Sequence, residues 1–211
     1  MRRLPIYLVL DVSGSMHGEP IEALRNGVQM LISTLRTDPY ALETAHISVV
    51  TFDETARQVT PLTELMNFQP PTIEAGTTTS LGSALTLTKE CIEKEVKKTT
   101  AEVKGDWKPL VFIMTDGQPT DDWAKGLANF QKAVTGMVIG CAAGPRANTD
   151  VLKKITDSVV TLDTADSNSI GAFFKWVSAS ISTTSKKIDL TKNDASDLNE
   201  LPPPPPEINI V

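Results

Sequence analysis

The sequence predicts an α/β sandwich: a mostly parallel, six-stranded central sheet with one antiparallel edge strand and helices on both faces. Three observations predict it. Apolar runs of strand length alternate with segments of helical period, the pattern of strand–helix–strand crossovers. The runs at 6–10 and Leu110–Thr115 are apolar without alternation, as expected for parallel strands covered on both faces. The segment Asp53-Glu54-Thr55 is too short to hold a crossover helix, so the runs on either side of it form an antiparallel hairpin at one edge.

Strands are predicted at 6–10, 47–52, 56–62, Leu110–Thr115, 137–141 and Val159–Leu162. The first helix spans 20–35. Pro20 suits its first turn, and Ile21, Leu24, Val28, Leu31, Ile32 and Leu35 form one apolar stripe. A second helix follows Thr79-Ser80 and buries Leu81, Ala84, Leu85, Cys91 and Ile92. A third begins near Asp121, where the negative charges of Asp121 and Asp122 suit the helix dipole, and uses Trp123, Leu127, Phe130 and Val134. Trp123 has two readings: core by its helical period, or an exposed anchor for a partner. A short fourth helix carries Val151, Leu152 and Ile155, and the last carries Ile170, Phe173, Phe174, Val177 and Ile181.

The apolar period stops near Lys186, so residues 4–185 are read as one domain and 186–211 as an acidic, Pro-rich, disordered tail. The five prolines from Pro202 to Pro206 favour a stiff polyproline II segment. A sharper reading makes the tail a docking peptide, for an aromatic groove or, through Ile208-Asn209-Ile210-Val211, for a sheet edge. The chain of 211 residues is 40% apolar, enough for a real core. A net charge of −6 and a pI of about 5.0 argue against nucleic acid and anionic lipid as ligands. The two cysteines, Cys91 and Cys141, fall in a helix and a strand and read as buried thiols, with no Cys/His cluster for zinc. The start of the chain lacks the pattern of a signal peptide, and no apolar run approaches the ~20 residues that span a bilayer. A cytoplasmic protein is the expectation.

The chemistry gathers where strands end. Val9-Leu10-Asp11-Val12-Ser13-Gly14-Ser15-Met16 is a strand ending in Asp-x-Ser-x-Ser, and the strand Leu110–Thr115 ends in Asp116-Gly117. Hard oxygen ligands at the carboxyl ends of two sheet strands make a magnesium-type site. Gly14 and Gly117 are expected to permit the close turns around it. The bland alternative is that Asp11 and Asp116 only cap the helices that follow.

On these residues the chain resembles the von Willebrand factor A domains over roughly residues 4–185. The family's metal-ion-dependent adhesion site joins Asp-x-Ser-x-Ser to a distal Thr and a distal Asp. The matching positions here are Asp11, Ser13 and Ser15, then Thr77 within Ala75-Gly76-Thr77-Thr78-Thr79-Ser80, then Asp116. Ala75 and Ser80 replace common glycines of that turn, and Thr78 is the neighbouring alternative to Thr77 as ligand. The resemblance implies a three-layer Rossmann-like fold and Mg²⁺, with Mn²⁺ or Ca²⁺ as substitutes. It also implies direct contacts from Ser13, Ser15 and Thr77, water-mediated ones from Asp11 and Asp116, and a partner protein supplying an Asp or Glu. The string Arg3–Met16, with Asp116-Gly117-Gln118-Pro119-Thr120-Asp121 and Trp123, looks more specifically like the bacterial tellurium-resistance proteins of the TerY-like group. That likeness implies a stress-resistance operon with partners encoded beside it.

Catalytic readings are weaker. His17 reads as a surface loop residue and His46 as structural, and Gly14-Ser15-Met16-His17-Gly18 lacks the G-x-S-x-G order of a hydrolase elbow. The chain has no P-loop pattern, and Ser13 stands where an aspartyl phosphatase carries its second Asp. The expected function is therefore a non-enzymatic, metal-dependent protein–protein interaction module. The competing class is a Mg²⁺-dependent phosphate-ester or nucleotide enzyme or sensor that uses the same hydroxyls and the start of the first helix.

Overall fold

The computed structural model describes residues 2–191 and 200–211. Seven strands form one sheet: β1 (Leu4–Asp11), β2 (Ala45–Phe52), β3 (Ala56–Glu64), β4 (Leu110–Thr115), β5 (Met137–Ala143), β6 (Val159–Leu162) and β7 (Ile208–Ile210). Their order is β3-β2-β1-β4-β5-β6-β7. The central pairs β1–β2, β1–β4, β4–β5 and β5–β6 are parallel, and β3 and β7 close the two edges antiparallel. The Asp53-Glu54-Thr55 hairpin thus lies at the edge where the sequence puts it.

The helices are α1 (Glu19–Leu35), α2 (Pro39–Thr44), α3 (Leu81–Glu95), α4 (Trp123–Phe130), α5 (Thr149–Ile155) and α6 (Ser167–Thr191). Alternate side chains of each central strand feed opposite faces. Leu4, Ile6, Leu8 and Leu10 join Leu110, Phe112 and Met114 in a core with Leu24, Leu31, Phe173, Phe174 and Val177 from α1 and α6. Tyr7, Val9, Val111 and Ile113 face the other way, against Leu81, Leu85, Phe130 and Leu152 from α3, α4 and α5. Both faces are apolar because both are covered.

Several expectations change. The sheet has a seventh strand, and the chain from Pro202 onward is ordered rather than a disordered tail. The Trp176 indole Nε1 donates to the Pro202 carbonyl at 2.8 Å, and β7 pairs Ile208 with Leu162 and Ile210 with Val160. Burial of Ile208, 4% exposed, and the backbone ladder on β6 supply the gain that composition alone does not show. Residues 208–210 thus pair with a sheet edge of the same chain. Helix α6 runs on to Thr191, past residue 185, and its apolar stripe continues there with Ile188 buried after Ile181. The bulk of the acidic stretch expected in the tail, 192–199, lies outside the described residues.

Helix α2 leaves no trace in the periodicity because it is only one and a half turns long. Asp38 caps it by accepting from the Tyr40 and Ala41 amides, with Pro39 in the first turn. Helix α4 stops at Phe130, where the Gln131, Lys132 and Ala133 amides bond back in a tightening turn. That leaves Val134 outside the core, 66% exposed. Trp123 packs partly buried against the second core, with the Lys154 ammonium 5.3 Å from its ring centre. Asp121 caps α3 rather than its own helix: its carboxylate accepts from the Gly82 and Ser83 amides at 3.0 and 2.8 Å. Asp122 caps α4 through the Lys125 amide.

Candidate metal centre

Strand β1 sits between β2 and β4, so the chain leaves β1 toward one side of the sheet and β4 toward the other. The crevice beyond the carboxyl ends of these two strands is the switch point where open α/β sheets bind ligands. The pairing of Leu10 with Met114 brings Asp11 and Asp116 to this crevice. Both are buried, at 0% and 3% exposure.

Hydroxyls tie the two loops together. The Ser15 hydroxyl donates to Asp116 Oδ1 at 2.6 Å, and Ser13 Oγ lies 3.1 Å from Ser15 Oγ. With the Ser15 proton committed to Asp116, Ser13 is the donor to Ser15. Asp11 Oδ1 accepts from the Ser13 amide at 2.8 Å, and Asp11 Oδ2 from the Thr115 hydroxyl at 2.6 Å. Sequence reasoning passed over Thr115, although it is the residue before Asp116. Burial pushes the Asp11 carboxyl above the ordinary carboxylate range; the bonds from Ser13 and Thr115 lower it part of the way back, and the charge of Asp116 raises it.

The Thr loop joins through its backbone. The Gly14 amide donates to the Thr77 carbonyl at 2.9 Å, and the Gly76 amide to the Val12 carbonyl at 2.6 Å. A Cβ on Gly14 would stand 2.9 Å from that Thr77 oxygen, so glycine is what lets the two loops meet. Gly117 has no such need, since a Cβ there makes only ordinary contacts. The Thr77 hydroxyl, exposed, donates to Glu54 Oε1 at 2.7 Å, and Thr78 is exposed beside it. Thr79 is buried, its amide and carbonyl both bonded to Thr120. The structure therefore gathers Asp11, Ser13, Ser15 and Asp116 directly and brings in Thr77 by its main chain. Sequence reasoning missed Glu54, whose turn looked like a plain hairpin.

Such a centre suits a hard divalent cation. Two buried carboxylates share a crevice, and Asp116 meets the guanidinium of Arg146 only at 3.8 Å, on a side chain that is 74% exposed. Two neutral hydroxyl oxygens, of Ser13 and Ser15, stand beside them, that of Ser15 with its proton directed at Asp116, and the Thr77 hydroxyl on the adjoining loop directs its proton at Glu54. Among the described residues no group of three or more His, Cys, Asp or Glu forms a charged cage. This oxygen set, mixed in charge, has the character of a divalent-cation site. Asp11 and Asp116 do not act as helix caps: their partners are Ser13, Ser15 and Thr115, not the first turn of α1 or α4. His17 is exposed on the loop before α1, and His46 bonds the Thr44 carbonyl at 3.2 Å.

Comparison with known proteins agrees with this architecture. No curated protein matches the chain. Among solved structures, a von Willebrand factor type A protein from Catenulispora acidiphila aligns with a TM-score of 0.63 and 19% identity, covering 86% of this chain and 43% of that one. The ArnB paralog VWA2 from Sulfolobus acidocaldarius aligns with a TM-score of 0.57 and 15% identity, covering 87% and 45%. Proximal thread matrix protein 1 from the mussel byssus, in a structure with a zinc-occupied MIDAS motif, aligns with a TM-score of 0.58 and 19% identity, covering 84% and 48%. The chain spans less than half the length of each of these. Among the described residues no helix is long and apolar enough to cross a membrane. The von Willebrand factor type A domain model matches residues 6–176, most of the chain, and with the sheet order and strand-end site already in place it identifies the chain as a member of the von Willebrand factor type A domain family.

Proposed function

We propose that the chain is a divalent-metal-dependent protein–protein interaction module. Ser13, Ser15 and Thr77 would hold the cation, Asp11 and Asp116 would act through water, and an Asp or Glu of a partner protein would complete the shell. The observation that carries this reading is the 2.6 Å bond from Ser15 to Asp116, which locks the loops after β1 and β4 into one site at the switch point. A bound cation would supply an electrophilic position open to an acidic side chain. The residues of the chain do the rest. Asp11 holds the Ser13 amide and Thr115 hydroxyl, fixing the loop, and Asp116 orients Ser15. With few anionic groups touching the ion, it keeps affinity for a carboxylate from outside.

Mg²⁺ is the proposed physiological ion, with Mn²⁺ or Ca²⁺ as substitutes. The zinc-occupied motif of the mussel protein supports a divalent ion in a site of this kind. We read the module as non-enzymatic, because Ser13 replaces the acid–base Asp a phosphatase needs. A cytoplasmic place in a bacterial tellurium- or stress-resistance system, with a partner from the same operon, rests on the likeness of Arg3–Met16 and of the Asp116–Asp121 segment.

The test is a pull-down from native lysate in Mg²⁺ and in EDTA, with wild type beside Asp11→Ala. A protein retained only by wild type in Mg²⁺ is the expected result. Equal retention under all four conditions would move the binding surface elsewhere and leave phosphate esters as the ligand to test at the metal centre.

A further inference from the structure

We propose that Glu54 is a positioning residue of the metal centre, one that holds the Thr77 hydroxyl by its proton and so keeps the oxygen's lone pairs for the cation. The inference rests on the metal reading given above and adds to it a residue outside the Asp-x-Ser-x-Ser, Thr and Asp set.

The contact is built rather than casual. Glu54 sits at the tip of the β2–β3 turn, and that turn is fastened to the Thr loop in three ways. The Ser80 amide donates to the Asp53 carbonyl at 2.9 Å, and the Ser80 hydroxyl to the Glu54 carbonyl at 2.9 Å. At Gly76 any Cβ would overlap the Asp53 side chain, so the two segments lie in direct contact. The turn is itself closed by the Thr55 amide on Asp53 Oδ1 at 3.0 Å. These constraints place Glu54 Oε1 2.7 Å from Thr77 Oγ1, across 23 residues of chain. The neighbouring Asp53 carboxylate is engaged by Arg57 at 3.3 Å, so the two adjacent acids have separate partners.

The arrangement repeats what the rest of the centre does. Asp116 takes the proton of Ser15 at 2.6 Å, and Asp11 that of Thr115 at 2.6 Å. A hydroxyl that donates to a carboxylate is fixed in orientation and is a stronger electron donor to an ion on its other side. Thr77 is the ligand candidate neither Asp reaches by a described bond, and Glu54 fills that place.

Titration calorimetry of Mn²⁺ into the full chain tests this, with wild type, Glu54→Ala, Glu54→Gln and Asp11→Ala. Glu54→Ala is expected to weaken Mn²⁺ binding roughly 10-fold. Glu54→Gln, whose amide oxygen still accepts from Thr77, recovers part of the loss. Both variants keep the metal-free melting temperature of wild type. Asp11→Ala weakens binding by roughly 100-fold or more. Wild-type affinity in Glu54→Ala, with Asp11→Ala weakened, overturns the role of Glu54 alone. Equal losses in Glu54→Ala and Glu54→Gln make the effect one of charge and overturn the hydrogen-bond role. A drop in metal-free melting temperature that tracks the weaker binding overturns it as a folding effect. Wild-type affinity in Asp11→Ala overturns the metal centre itself.

Discussion

The two ends of the β1–β4 pair use acidic residues in opposite ways. At the amino end, Asp106 lies in a fork of Arg3, whose Nη2 is 2.5 Å away and whose Nε is 3.0 Å from the other oxygen, and it accepts the Lys97 amide at 2.7 Å. Arg3 also donates to the Glu95 carbonyl, and the Glu95 carboxylate takes the Tyr7 hydroxyl at 3.0 Å and the Leu62 amide at 3.2 Å. Negative charge there meets a guanidinium in a closed network. At the carboxyl end, Asp11 and Asp116 are buried, yet their close partners are neutral hydroxyls and an amide. One end is finished by its own residues and stabilises the fold. The other leaves charge to be balanced by a ligand, at the expense of the free protein.

The largest expected effect sharpens this contrast at the carboxyl end. Asp11→Ala should weaken Mn²⁺ binding by roughly 100-fold or more, since the position orients the whole loop. In EDTA its melting temperature should hold or rise, because an uncompensated buried carboxylate has gone. A large fall in EDTA would show that Asp11 is structural and break the comparison. Next, Asp106→Asn should lower stability by about 2–3 kcal/mol in urea unfolding, with Mn²⁺ affinity unchanged.

Acid separates the two ends by sign. Burial would raise Asp106, but the Arg3 hydrogen bond, the Lys97 amide and the Arg3 charge hold it below the ordinary carboxylate range. Its folded value being depressed, its contribution is present above the unfolded pKa of about 4 and is lost as pH falls through the folded value. The gap between wild type and Asp106→Asn should therefore stay flat from neutral pH to about 5 and close below about 4. Asp11 is raised, so in EDTA its protonation makes the fold more stable as pH falls toward about 4. The smallest effect serves as a control away from both ends. Trp176→Phe, which removes the bond to the Pro202 carbonyl, should cost about 1 kcal/mol and leave metal binding and its pH response untouched.

Elements that carry their own local signal were legible. Unbroken apolar runs marked β1 and β4, the three-residue hairpin marked the β2–β3 edge, and the stripe from Ile21 to Leu35 marked α1. Asp11, Ser13, Ser15 and Asp116 could be read because strand ends in an α/β sheet converge by topology. What was missed depends on contacts remote in sequence. β7 is three residues after a proline run, and only its ladder to β6 and the burial of Ile208 make it a strand. Asp121 looked like the cap of the helix it precedes, and a packed neighbour claimed it instead. Glu54 lies at a hairpin tip, where an acidic residue ordinarily needs no partner, and only the fastening of that tip at Ser80 gives it one. The Asp38-Pro39 pair before α2 was a local signal left unused.

The closing strands also bear on how molecules meet one another. An open edge on a parallel sheet is a template for another chain, because its backbone donors and acceptors point outward in a long flat row. Here that row is cut to the three residues of β7 on one side. On the other it belongs to β3, whose ladder is irregular near Val49 and whose side chains include Arg57 and Glu64. Short, irregular and charged margins resist sheet-to-sheet stacking. With β6 covered by β7, less open backbone is left for edge-to-edge pairing than an uncovered β6 would offer.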